Sequence, residues 1–295
     1  MARIVVMQGA TASGKSRVAA EVAQRLGVCV ISADSRQFYR EMSIGTAVAT
    51  PQERQMAEHY FMQDRSVVDH LSAGGFEAEA LALIEKLSVG KGTDEVVAVV
   101  AGGSGLYVDA LLNGLDPLPS DEKVRELLNA QLKEYGLQSL LYELRRLDSD
   151  YYYKVDRCNP QRVLRALEVC RVTGEKYSQQ RSGAKVVRPF EVTRVIIDRP
   201  REELYSRINM RVDQMVQEGL EAEVRGLVQY AELTPLKSVG YSEFFDYFNG
   251  KTTRGQAIEL IKQHTRNYAK RQLTWLNRSA DVVRVHPDNI HSLGL

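Results

Sequence analysis

The chain has 295 residues, 44% hydrophobic and 26% charged, an ordinary globular balance that suits one large domain or a core carrying a smaller partner. A formal net charge of +1 means that bulk composition does not mark a nucleic-acid binder, so any basic surface has to be local. No apolar run reaches the roughly 18 residues needed to span a bilayer, the chain opens on a strand pattern with no signal peptide, and its scattered cysteines form no C-x-x-C pair, so a soluble, reduced, cytoplasmic protein is expected.

The first apolar run, residues 3–7, reads as a strand. It feeds Gly9-Ala10-Thr11-Ala12-Ser13-Gly14-Lys15-Ser16, which satisfies G-x-x-x-x-G-K-S/T at every fixed position. A helix is expected over residues 16–26, with Val18, Ala19, Val22 and Leu26 on its apolar side. In this strand–loop–helix setting, backbone N–H groups and the helix N-terminus bind phosphate oxygens. Lys15 adds a point charge, and Ser16 can hold Mg²⁺. The motif reports phosphate and not the molecule that carries it. A second strand, residues 28–32, contains Cys29 as a small core hydrophobe and ends in Ser32-Ala33-Asp34-Ser35-Arg36-Gln37. Ligands of open parallel sheets gather at the carboxyl ends of strands, so this strand delivers a carboxylate, a hydroxyl and an amide beside the phosphate loop. The competing role for Asp34 or Ser35 is to cap a following helix.

A helix at 76–87 precedes a third strand at 95–101, which ends in Gly102-Gly103-Ser104-Gly105-Leu106-Tyr107 and runs into a helix at 105–112. A nucleotide-hydrolysing P-loop protein presents an Asp after such a strand to help hold Mg²⁺. The two glycines argue instead against ATP hydrolysis and for a backbone that something bulky approaches closely; the plainer reading is a tight strand-to-helix turn. Residues 113–119, with two prolines and a glycine, read as a linker. From 120 to about 181 the pattern is helical. One helix there is well marked, with Asn159 as N-cap, Pro160 at the first position and Gly174 at the end, and Arg162 and Arg165 share a face on it. Strand signals return at 192–197 and 282–285. Between them Lys262, Arg266 and Lys270 form an i, i+4, i+8 ridge, followed by Arg271 and Arg278, with Tyr268 and Trp275 interleaved and no acid from 262 to 278. Such a stripe suits a phosphate backbone, or is a solvated helix face with its aromatics in the core. The expected fold is α/β: a P-loop NTPase-like core with a parallel sheet flanked by helices, residues 1–115 and 190–295, plus an all-helical insertion domain at 116–189.

These motifs together resemble one family, the tRNA dimethylallyltransferases, also called tRNA isopentenyltransferases. The phosphate loop is similar to that family's G-P-T-A-S-G-K-S/T, with Ala10 in place of proline. Residues 32–46 resemble S-A-D-S-x-Q-x-Y-x-x-x-x-I-G-T, and residues 102–115 resemble G-G-T-G-L-Y-x-x-A-L-L-x-G-L, with Ser104 replacing threonine. Pro160-Gln161-Arg162-Val-Leu-Arg165-Ala-Leu-Glu168 is similar to P-Q-R-x-x-R-A-L-E; before it, Cys158-Asn159 stands where the family has Asn-Asp. Residues 207–215, Val239-Gly240-Tyr241 and residues 270–275 match further stations in the same order, so the likeness runs nearly end to end.

The resemblance implies a monomer that transfers a dimethylallyl group from dimethylallyl diphosphate to N6 of the adenosine 3′ of the anticodon, position 37, in tRNAs reading codons that begin with U. It implies that the loop Gly9–Ser16 holds the diphosphate without ATP, and that the insertion closes over the tRNA anticodon stem-loop. Lys15, the loop amides, Mg²⁺ on Ser16 and Arg211 would neutralise the departing diphosphate. Asp34 would take or orient the amine proton, with Thr11 touching the diphosphate or positioning Asp34. The adenine would be extruded and held by Asp34, Ser35, Arg36, Gln37, Ser104 and the Asn159–Pro160–Gln161–Arg162 turn. Arg165, Val239, Gly240, Tyr241, Lys262, Arg266, Lys270 and Arg271 would complete the RNA-binding set. The rival readings are a P-loop kinase of a nucleoside or small metabolite, an isopentenyltransferase of free adenine nucleotides, and a non-catalytic nucleotide-dependent switch.

Overall fold

The structure is a computed structural model and describes residues 1–183, 185–278 and 282–294. In chain order the elements are β1 (Ala2–Gly9), α1 (Lys15–Leu26), β2 (Cys29–Ser32), α2 (Pro51–Met56), β3 (His59–Tyr60), α3 (Ala73–Ser88), β4 (Val96–Gly102) and α4 (Gly105–Asn113). Then come α5 (Glu122–Leu147), α6 (Ser149–Tyr152), α7 (Pro160–Thr173), α8 (Tyr177–Gln180), β5 (Phe190–Ile197), α9 (Arg201–Gln217), α10 (Leu220–Gly226), α11 (Ser242–Phe248), α12 (Arg254–Leu276) and β6 (Val283–Val285). The chain divides into two compact units, residues 1–112 with 187–295, and residues 113–186. Among the described residues no helix is long and apolar enough to cross a membrane.

The first unit is built on a six-stranded sheet in the order β3-β2-β4-β1-β5-β6, with every described pairing parallel. A strand with its neighbours' helices on both faces must be apolar throughout, and Val96–Gly102 reads VVAVVAG for that reason. Alternate residues of β1 serve opposite faces: Val5 and Met7 pack with Val18 and Val22 of α1, while Ile4 and Val6 join the larger cluster containing Phe76, Val108 and Ile261. All five expected strands form, each within two residues of its anticipated bounds. The two-residue β3 carries too little periodicity to be read from sequence. Because the strands are parallel, the ends of β1, β2, β4 and β5 emerge along one edge of the sheet, and the strand order turns about β1.

The second unit is helical. Leu128, Leu140, Leu144, Val163 and Leu167 form its core across α5 and α7. The well-marked helix ends as its residues dictate: the Asn159 side chain accepts Arg162 N–H at 3.3 Å, Pro160 occupies the first position, and Gly174 adopts φ +75°. Glu168, 2% exposed, accepts Asp121 N–H at 3.1 Å and pairs with Arg125 and Arg165, each at 2.9 Å. Arg165 also donates to the carbonyls of Pro119 (2.9 Å) and Leu118 (3.0 Å), so its guanidinium ties the first residues of this unit to α7. The two arginines expected to share a face differ in their partners: Arg162 is exposed, whereas Arg165, 33% exposed, is paired with a buried acid.

Candidate active site

β1 leads into a loop whose geometry the sequence prescribes. Ser13 N–H returns to Ala10 O at 3.1 Å, and Ala12 and Gly14 sit at φ +64° and +94°. A Cβ on Gly9 would lie 2.6 Å from Ser13 Oγ and 2.8 Å from Ile197 O, so only glycine lets the loop fold back on β5. No side chain caps α1 at Gly14, which leaves N-terminal amides of that helix available to an anion. The outward carbonyls are clamped: Arg207 Nε donates to Ala12 O at 3.0 Å and Arg199 Nε to Ser13 O at 2.8 Å. Neither clamp was anticipated. The available signal was the i, i+4 placement of Arg207 and Arg211 on one face of α9.

Thr11, Ala12, Lys15 and Ser16 line a cavity of about 650 Å³ with Asp34, Ser35, Arg36 and Arg211. Its far wall comes from α9, α12 and residues 237–241, including Val212, Ile261 and Tyr268. Burial pushes the Lys15 ammonium below its usual pKa, with Asp34 pulling it back up and Arg211 pushing it further down. Arg211 is lowered in the same way, again opposed by Asp34. Lys15, buried, and Arg211, half-buried, thus share the cavity lining with the Asp34 carboxylate, and Glu53 acts on both cations as well. An anionic ligand would complete the charge balance. Burial also raises the Tyr268 phenol to about 12, so it stays neutral at physiological pH.

β2 ends in a turn and no helix follows, so neither Asp34 nor Ser35 acts as a helix cap. Asp34 Oδ1 accepts Arg36 N–H at 3.3 Å and its carbonyl accepts Gln37 N–H at 3.0 Å. Ser104 Oγ accepts Ser35 N–H at 3.1 Å and donates to Ser35 Oγ at 3.2 Å, stitching the exit of β4 to the exit of β2. Gln37 is buried and both ends of its amide are occupied: Oε1 by Ser32 Oγ, Nε2 by the carbonyls of Thr46 and Ala47. It is a strut in the cavity wall.

The glycines after β4 do admit close neighbours, but these are the protein's own groups. A Cβ on Gly102 would collide with Ala33 O, one on Gly103 with Gln272 Nε2, and one on Gly105 with Trp275 Nε1. The C-terminal ridge also changes meaning. Lys262, 14% exposed, pairs with Asp213 at 2.8 Å and Glu259 at 3.0 Å, and Arg266 donates to Asn209 at 2.6 Å. Only Lys270 and Arg271 of the four stand exposed, and the Arg271 guanidinium lies 5.8 Å from the Tyr268 ring centroid. Tyr241 is fully buried, its hydroxyl donating to Glu223 at 2.7 Å, so it supports the cavity wall. Val239 and Gly240 line the cavity beside it. Glu223 also accepts the N–H groups of Ser43, Ile44 and Gly45, holding the segment whose carbonyls bind Gln37.

A parallel sheet with a phosphate loop at β1, a carboxylate at β2 and arginines from α9 defines a P-loop-type transferase site without the Asp that follows β4 in nucleotide hydrolases. Comparison with known proteins makes this specific. The IPP transferase family is matched over residues 37–279, and the chain belongs to that family. It is 44% identical to the tRNA dimethylallyltransferase of Cytophaga hutchinsonii over 288 residues, covering 97% of this chain and 93% of that one. It is 41% identical to tRNA dimethylallyltransferase 1 of Bacteroides thetaiotaomicron, over 98% of this chain and 92% of that one. Among solved structures, the full-length tRNA isopentenylpyrophosphate transferase of Bacillus halodurans superposes with a TM-score of 0.70 at 32% identity, covering 99% of this chain and 94% of that one. A eukaryotic dimethylallyltransferase acting on tRNA superposes with a TM-score of 0.79 at 25% identity, covering 97% and 74%.

Proposed function

We propose that this chain is a cytoplasmic, monomeric enzyme that transfers a dimethylallyl group from dimethylallyl diphosphate to N6 of adenosine 37, 3′ of the anticodon, in tRNAs reading codons that begin with U. One observation carries the reading: the Asp34 carboxylate shares with the cations Lys15 and Arg211 the lining of a cavity large enough for donor and base together. The relatives named as tRNA-modifying transferases support the same chemistry.

In the proposed reaction the N6 lone pair forms a bond to C1 of the dimethylallyl group while the C1–O bond breaks. The electron pair of that bond leaves on the diphosphate, and the N6 proton passes to Asp34. Lys15, Arg211 and the amides of residues 11–16 stabilise the charge that grows on the leaving group. The adenine amine is a weak nucleophile because its lone pair is delocalised, so a carboxylate that relieves it of a proton contributes on the order of 10²–10⁴-fold. Mg²⁺ fits the residues present: Ser16, at the phosphate loop, and Asp34 line one cavity, and the Ser16 hydroxyl would hold an ion shared with phosphate oxygens and water. The chemistry such an ion supplies when bound is neutralisation of negative charge on the diphosphate.

The test is mass spectrometry of nucleosides after unmodified tRNA is incubated with the protein, Mg²⁺ and dimethylallyl diphosphate. An isopentenyl-adenosine peak is expected from tRNA and none from free AMP. Phosphoryl transfer from ATP with no isoprenoid product would assign the site to a kinase.

A further inference from the structure

Gln272 on α12 is 7% exposed, and both ends of its amide are engaged. Oε1 accepts Thr11 N–H at 2.8 Å, and Nε2 donates to the Gly103 carbonyl at 2.9 Å. The two partners fix the amide's orientation, since an N–H needs the oxygen and a carbonyl needs the nitrogen. One partner lies in the phosphate loop; the other precedes Ser104, which accepts Ser35 N–H next to Asp34. Gly103 has no room for a Cβ because Gln272 Nε2 occupies that space, so the backbone after β4 is shaped to receive this side chain.

We infer that Gln272 is a positioning residue that sets the spacing between the phosphate loop and the turn carrying Asp34. The inference rests on the proposed transfer reaction. It follows from three links in series: loop to Gln272, Gln272 to Gly103, and Ser104 to Ser35. Each link is short and partly shielded from water, where a hydrogen bond has fewer substitutes. A reacting carbon and an acceptor amine must meet within a few tenths of an ångström, and a misplacement of about 1 Å costs on the order of a hundredfold in rate. Gln272 touches neither reactant in this scheme. It holds the two elements that do.

The experiment compares Gln272→Met, which keeps the volume and removes both hydrogen bonds, with Gln272→Glu. A protonated Glu has the amide's pattern of one acceptor and one donor, whereas an ionised one places a carboxylate against the Gly103 carbonyl. In single-turnover transfer to tRNA, Gln272→Met is expected to lose about 10–100-fold in rate while donor affinity changes less than about threefold. The Gln272→Glu rate, taken relative to wild type, is expected to recover as pH falls and the carboxyl takes up its proton. Amide exchange at Thr11 is expected to speed up in Gln272→Met whether or not substrate is present. The inference is overturned by a wild-type rate in Gln272→Met, by rate and donor affinity falling together, by a flat relative pH profile for Gln272→Glu, or by unchanged Thr11 exchange. Absence of product with the wild-type protein would instead count against the proposed function, and the exchange measurement separates the two.

Discussion

Two acids, one in each unit, show how the same chemical group ends up saturated by the protein or left open to a ligand. Glu168 in the helical unit is 2% exposed and saturated, with Arg125, Arg165 and Asp121 N–H filling its oxygens. Asp34 in the sheet unit is half-buried; its carboxylate accepts Arg36 N–H, and its charge partners Lys15 and Arg211 face it across open volume. A saturated carboxylate has no capacity left for a substrate proton. One with an oxygen left open does. The difference lies in what surrounds each acid and not in the acid itself.

The comparison breaks most visibly at Asp34. Asp34→Asn is expected to lower single-turnover transfer by on the order of 10²–10⁴-fold while leaving donor binding and thermal stability close to wild type. Unchanged turnover would remove Asp34 from the chemistry. Glu168→Gln should do the reverse, because the new amide sets N–H donors against two guanidinium groups. A loss of about 2 kcal/mol in denaturant unfolding is expected, held down because Arg125 is 53% exposed and partly screened by water. Transfer per folded molecule should then hold, and a stability equal to wild type would show that the hub is dispensable. The smallest effect separates two neighbours on α7. Arg162→Ala should flatten the salt dependence of tRNA affinity by about one unit of slope at unchanged stability. Arg165→Ala should leave that slope alone and lower stability, since its guanidinium is held by Glu168 and two carbonyls. Equal slopes for both variants would mean that α7 does not meet the RNA backbone.

Legibility in the sequence tracked how local each cause was. The loop from Gly9 to Ser16 could be read because strand, glycines and helix are contiguous, and its hydrogen bonds close within a few residues. The Asn159 cap and the Gly174 end of α7 were legible on the same ground. The glycines after β4 were read as a backbone approached by something bulky, which is correct in physics, but the approaching groups, Gln272 and Trp275, stand about 170 residues away in sequence. The ridge at Lys262 and Arg266 looked free because no acid occurs from 262 to 278, although Glu259, one turn earlier, pairs with Lys262. Asp213 and Asn209 reach it from α9, a neighbour that periodicity within one helix does not reveal.

From the amino-acid order alone came the alternation of apolar runs and amphipathic stretches, the phosphate loop, and the acid placed two residues past β2. These follow from short-range sterics and from the periods of strand and helix. The tertiary structure decided which charges are cancelled, which amides are saturated and which are left facing the cavity. Electrostatic pairing and desolvation depend on distance in space, and chain packing sets that distance between residues as far apart as Thr11 and Gln272.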